Sequence, residues 1–215
     1  MSTARPRHAF APRHRHEWAN RWWYDGRLHA AWNIGLPAVL ALGLVANVPW
    51  DVGAGLVVVA TAVLANGIEY ALHRWPMHRR TWARLLYERH TLIHHRLLDG
   101  PDRSMLVAHH RDWYFVLFPP WSLLVLVGAV GFVTGGLSLG VGELPARWFA
   151  ATGLAYFGLY ESLHLAYHLA FSERGVLAFL RAHHARHHQR GTCATHNFNV
   201  TVPLFDVLLG TRWRR

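Results

Sequence analysis

Ten of the chain's histidines fall in four short groups whose spacing suits a metal. HRWPMH supplies His73 and His78, and HTLIHH supplies His90, His94 and His95. HLAYH supplies His164 and His168, and RAHHARHHQR supplies His184, His187 and His188. Residues three and four apart share a helix face, so the last two groups each offer imidazoles that project together, whereas Pro76 breaks the helix between His73 and His78. Neutral imidazole is a good ligand for iron, zinc, copper and nickel. Ten such ligands exceed the needs of one ion and fit two. The single cysteine, Cys193, excludes an internal disulfide and a cysteine-based zinc cage.

Carboxylates narrow the kind of dinuclear site. A ferritin-like di-iron bundle needs four glutamates and two Glu-x-x-His pairs. Here Glu161 with His164 matches once, and Glu69 is the only other acid within an apolar run, so the site must be nearly all imidazole. Glu69 stands four residues before His73 and Glu161 three before His164. Each could accept a hydrogen bond from a ligand's second nitrogen or serve as a polar contact between helices. His196 and Asn197, just after the fourth group, are further candidates to orient a ligand. His109 and His110 read as an interfacial polar pair, and His183 as a packing or hydrogen-bonding neighbour. His8, His14, His16 and His29 read as solvated.

The elements that must position these groups are apolar runs. In a chain of 215 residues, 52% hydrophobic, nearly uncharged stretches cover about 30–50, 52–72, 113–137 and 148–170, each about the length that crosses a bilayer. The pattern predicts an all-α integral membrane protein: four transmembrane helices as two hairpins, with a helical cap holding the histidines. Residues 1–29 form a basic arm ending in an aromatic anchor (Trp22, Trp23, Tyr24), without the apolar core of a signal peptide, and residues 30–215 form one membrane-embedded domain. All 22 basic residues are arginine. They lie before the first run, between the second and third, and after the fourth, with only Arg147 elsewhere. The positive-inside rule then places both termini and the metal site in the cytoplasm. RRTWARLLYER, residues 79–89, is expected on the membrane surface. Because the net charge of +10 follows membrane topology, no nucleic-acid partner is expected. Trp75, Trp82, Tyr87, Trp113 and Tyr167 are candidates to line a groove between span ends and cap.

The boxes HX4H, HX3HH, HX3H and HX2HH around two hairpins resemble the fatty acid hydroxylase/sterol desaturase superfamily of integral-membrane di-iron enzymes. NFNVTVPLFDVLLGT, Asn197 to Thr211, is similar to that family's terminal signature, and DWYFVLFPP, Asp112 to Pro120, to the start of its third span. The likeness covers about residues 30–211. In two places the chain departs from the pattern: its second box has three intervening residues where many members have two, and Asn199 stands where glycine is common. The resemblance implies two iron ions held by the ten histidines (zinc replacing iron on purification), O2 as co-substrate, and hydroxylation of an unactivated C–H bond of a lipid. A lipid desaturase or carotenoid hydroxylase would use the same site. Neither a haem-attachment motif nor a nucleotide-binding fingerprint is present, so electrons are expected from a separate ferredoxin or cytochrome b5-type protein docking on the arginine-rich face. The non-enzymatic alternatives are a transition-metal transporter, whose ligands would sit near the midplane, and a b-type haem protein.

Overall fold

The computed structural model describes residues 21–98, 105–107, 109–169, 174–189 and 191–213. Their regular elements are all helices, with no strand among the described residues. Four long helices are α1 (Gly26–Val45), α2 (Val52–Met77), α4 (Trp121–Val141) and α5 (Glu143–Tyr167). Three shorter ones gather at one end: α3 (84–98), α6 (Gly175–His187) and α7 (Leu204–Leu208).

Local chemistry sets the boundaries. Asp25 and Asp51 cap α1 and α2, accepting from the N–H of Arg27 and Ala54 at 2.7 Å each. Pro119 and Pro120 precede α4. Gly142, at φ 94°, is the single residue between α4 and α5, a left-handed turn that a Cβ would strain.

α1, α2 and α4 are each long and apolar enough to cross a membrane. Their outer surfaces are leucine, valine and phenylalanine (Leu42, Val59, Leu124, Phe132), while the buried histidines, asparagines and carboxylates lie inside, beside alanine, leucine and tyrosine. That inversion of the soluble pattern is the signature of an integral membrane protein, whose costly polar groups face inward. α5 packs on all three of the others. Its buried side is small, with Ala146, Ala150, Ala151 and Gly158 around Leu154, letting helices approach closely. A Cβ on Gly158 would lie 3.4 Å from the carbonyl of Ile34 in α1. Being central, α5 carries Glu143, Arg147 and Glu161, which makes it less apolar than its neighbours.

Several expected boundaries move. The first long helix begins at Gly26, so His29 is not a solvated arm residue. It is buried, its Nε2–H donating to the carbonyl of Phe118 at 2.8 Å and its Nδ1 accepting from the Tyr24 hydroxyl at 2.8 Å. α2 continues to Met77 through a π-helical turn, His73–Met77. Trp113 belongs to a 3-10 helix, His110–Phe115, and not to the third long helix, which starts at Trp121. The expected arm otherwise lies largely outside the described residues.

Candidate metal centre

The ten histidines of the four boxes converge as two clusters of five, all buried, each with its ring nitrogens within 4.8 Å of one another. The first holds His73, His78, His90, His95 and His187; the second holds His94, His164, His168, His184 and His188. The first box belongs wholly to the first cluster and the third box to the second, while the second and fourth boxes are split. Adjacent helical residues point about 100° apart, so His94 and His95 diverge, as do His187 and His188. Where the clusters meet, the rings of His95 and His188 stack at 4.3 Å.

The clusters are built on different helical geometries. In the second, His164 with His168, which closes α5, and His184 with His188, which closes α6, are i,i+4 pairs. In the first, His73 with His78 and His90 with His95 are i,i+5 pairs, and each spans a π-helical turn, His73–Met77 and Glu88–His95. An α-helix would carry residues five apart off a common face. The wider turn, closing hydrogen bonds five residues apart, brings them round. Pro76, lacking an N–H, does not end the helix between His73 and His78 but lies inside that wide turn.

Second nitrogens define the protonation. Nδ1 of His94, His168 and His187 faces the carbonyls of Phe115 at 2.9 Å, Met105 at 2.7 Å and His196 at 2.9 Å. Nδ1 of His73 faces the carbonyl of Phe198. A carbonyl only accepts, so each Nδ1 carries the proton and each Nε2 presents a bare lone pair. His78 joins them: the Thr91 hydroxyl donates to the carbonyl of Met77 at 2.6 Å and so accepts from His78 Nδ1 at 3.3 Å. The inward Nε2 atoms then lie against one another, His78 to His187 at 3.0 Å, His94 to His188 at 3.2 Å. Lone pairs of two Nε2 acceptors so placed repel, and a cation between them removes the conflict. Burial first, then the neighbouring imidazoles, holds His90, His95, His184 and His188 well below the ordinary histidine value, which keeps them neutral. The donor set therefore fits a transition-metal ion in each cluster.

The other expected residues take different places. Glu69 accepts from the N–H of Val200 and Thr201, the latter at 3.1 Å, and from the hydroxyls of Thr201 at 2.6 Å and Tyr156 at 2.5 Å. Glu161 accepts from Asn33 Nδ2 at 3.0 Å and from the N–H of Phe118 at 3.1 Å. Of the two roles open to them in the sequence, their hydrogen bonds fit the polar contact between segments and do not run to the ligand rings. His196 contributes its carbonyl to His187, while its ring packs edge-on against Trp213 at 4.9 Å. Asn197, at φ 58°, ties two strands of loop together, its Nδ2 donating to the carbonyl of His183 at 3.0 Å and its Oδ1 accepting the N–H of Trp213 at 2.7 Å. His183 is outside both clusters and bonds Asp206 at 3.2 Å. Burial alone would raise the Asp206 carboxyl, but bonds from His183, Thr211 and the N–H groups of Asn199 and Phe198 outweigh it and hold it below the usual carboxylate range. His109 caps the 3-10 helix, accepting from the N–H of Arg111 at 3.2 Å.

A cavity of about 560 Å³ opens beside the centre, between α3, α4 and α5. His90 of the first cluster and His94 and His164 of the second form part of its wall, and the remainder is almost entirely apolar, including Met77, Val116, Leu126 and Phe157. A second, of about 210 Å³, shares Leu72, Met77, Phe118, Leu126, Phe157 and Tyr160 with it and runs on between α2, α4 and α5 to Val130, Phe149 and Gly153. Of the aromatic residues expected to line a groove only Trp82 does so; Tyr167 is buried and donates to the carbonyl of Val200 at 3.0 Å.

Fold and site together define an integral membrane protein with two buried histidine clusters able to hold metal ions. Compared with protein-family models, with curated proteins and with solved structures, the chain gives no match.

Proposed function

We propose that this protein is a membrane-embedded di-iron oxygenase that hydroxylates an unactivated C–H bond of a lipid, as its likeness to the fatty acid hydroxylase/sterol desaturase superfamily implies. The observation that carries the reading is the apolar cavity whose wall contains ligands of both clusters, His90, His94 and His164. In the same reading α5 is the fourth span, the long helices pair as two hairpins, and the arginine-rich end with the histidines faces the cytoplasm.

Two irons held there would supply reduction of O2 and insertion of one of its atoms into the C–H bond. The balance is R–H, O2, two electrons and two protons giving R–OH and water, with the electrons from a separate ferredoxin or cytochrome b5-type donor. The chain's own residues do the rest. Ten neutral imidazoles bind, and the carbonyls of Phe198, His196, Phe115 and Met105 fix the tautomers of His73, His187, His94 and His168. The apolar wall excludes water and holds an alkyl chain along α4 and α5, so that the carbon presented beside His90 and His164 is set by where the chain ends.

The test is metal analysis of purified, iron-reconstituted protein together with lipid profiles of cells expressing wild type or His187→Ala. Two irons per chain and an oxygenated lipid that depends on His187 are expected. A variant that keeps both metals and an unchanged oxygenated-lipid profile would sink the proposal.

A further inference from the structure

Three carboxylates are buried among the described residues, Glu69, Glu161 and Asp206, and their hydrogen bonds run to backbone and neighbouring side chains around the clusters. Asp206 accepts the N–H of Phe198 at 2.9 Å and of Asn199 at 2.8 Å. Glu69 accepts the next two, from Val200 and from Thr201 at 3.1 Å. Four consecutive amides are thereby turned toward two carboxylates, and each N–H shares a rigid peptide with the carbonyl of the residue before it, so that Asp206, through the Asn199 N–H, sets the carbonyl of Phe198. The carbonyl of Phe198 receives the Nδ1–H of His73. That of His196, which receives the Nδ1–H of His187 at 2.9 Å, lies in the peptide of Asn197, whose N–H donates to the carbonyl of Thr211 at 3.0 Å, and the Thr211 hydroxyl donates to Asp206 at 2.7 Å. Both histidines belong to the first cluster.

The second cluster is held from elsewhere. Glu161 accepts the N–H of Phe118 at 3.1 Å, and the carbonyl of Phe118 accepts from Asn33 at 2.7 Å and His29 at 2.8 Å. That anchors the turn after the 3-10 helix, where the N–H groups of Val116 and Leu117 bond back to Trp113. From this turn the carbonyl of Phe115 receives the Nδ1–H of His94 at 2.9 Å.

We infer that the two metal sites are keyed separately: Asp206, with Glu69 holding the two peptides that follow, is a positioning residue for the first cluster, and Glu161 for the second, each by anchoring the segment whose carbonyls receive the ligand Nδ1–H groups. The inference rests on the reading that both clusters bind metal.

The experiment is Co2+ titration of the full chain in detergent, stripped of metal, followed by visible absorption. His168→Ala leaves the first cluster as the intact site, and His78→Ala leaves the second. Asp206→Asn is expected to weaken Co2+ binding about tenfold or more in the His168→Ala background, the size of effect that groups orienting a ligand usually have, and to stay within about twofold in the His78→Ala background. Glu161→Gln should do the reverse. If Asp206→Asn does not fold, Thr201→Val, which removes one donor to Glu69, gives the same selectivity at smaller size. Equal weakening in both backgrounds, or in neither, overturns the inference. A wild-type chain that takes up no Co2+ instead overturns the metal-binding reading, and the inference with it.

Discussion

His90 and His95 stand five residues apart, yet their Nε2 atoms meet at 3.1 Å across the π-helical turn Glu88–His95. A π-turn is an α-helix carrying one extra residue. Deleting Leu92 should let the segment relax to an α-helix, with the histidines at i, i+3 and i+4 and on nearly the same bearings. The deletion variant is expected to retain two metals per chain. Inserting an alanine after Leu92 spaces them i, i+5 and i+6, which no helix reconciles, and should leave one. Metal stoichiometry by mass spectrometry decides it, and loss of metal on deletion would refute the geometric account.

Metal removal should be felt in stability, because the inward Nε2 lone pairs have no other cation. At a free-ion concentration 100 times Kd each site contributes about 2.7 kcal/mol. For a domain of this size one kcal/mol moves the melting midpoint by roughly 2–4 °C, so stripping both ions should lower it by roughly 10–20 °C. Chelator-treated protein that melts with the metal-loaded form would show that the clusters do not hold ions in the folded state.

His29 ties the start of α1 to the turn that precedes α4. Its imidazole passes a hydrogen bond from the Tyr24 hydroxyl to the carbonyl of Phe118, 89 residues away in sequence. His29→Ala leaves the buried Tyr24 hydroxyl without this partner and should cost about 1–3 kcal/mol, read from denaturant unfolding in detergent. A cost below about 0.5 kcal/mol, the usual limit for surface changes, would put His29 back in solvent.

The ten clustered histidines were legible because their boxes repeat at short spacing. Their division was not, since HTLIHH and RAHHARHHQR each serve two clusters, and which of two adjacent rings turns which way depends on π- or α-geometry. Glu161 was open between a ligand ring and a contact with another helix, and its partners, Asn33 and Phe118, lie on other segments, which spacing along its own helix cannot choose. His29 was read with the basic arm because the helix that buries it starts inside that arm, at Gly26. His196 acts through a carbonyl, which every residue has, so nothing in its side chain could reveal it. The long helices were visible as apolar runs. The cavity was not, because the leucines, valines and phenylalanines that line it are the same residues that face lipid.

That cavity makes a prediction about chain length. Its lower part ends at Val130, Phe149 and Gly153, away from the histidines. A Cβ on Gly153 would meet Val130 at 3.7 Å, ordinary contact, so alanine fits there and a larger side chain must occupy the cavity itself. Gly153→Phe is expected to fill the Val130–Phe149 end of the 210 Å³ cavity, whose wall also includes His73, without replacing any cluster histidine. Metal content should stay at two per chain, and the longest oxygenated lipid should lose several carbons relative to wild type. Lipid profiling of the two strains measures this directly. An unchanged length distribution with both metals in place would mean that the substrate does not extend between α2, α4 and α5, and that it reaches the centre through the upper cavity alone.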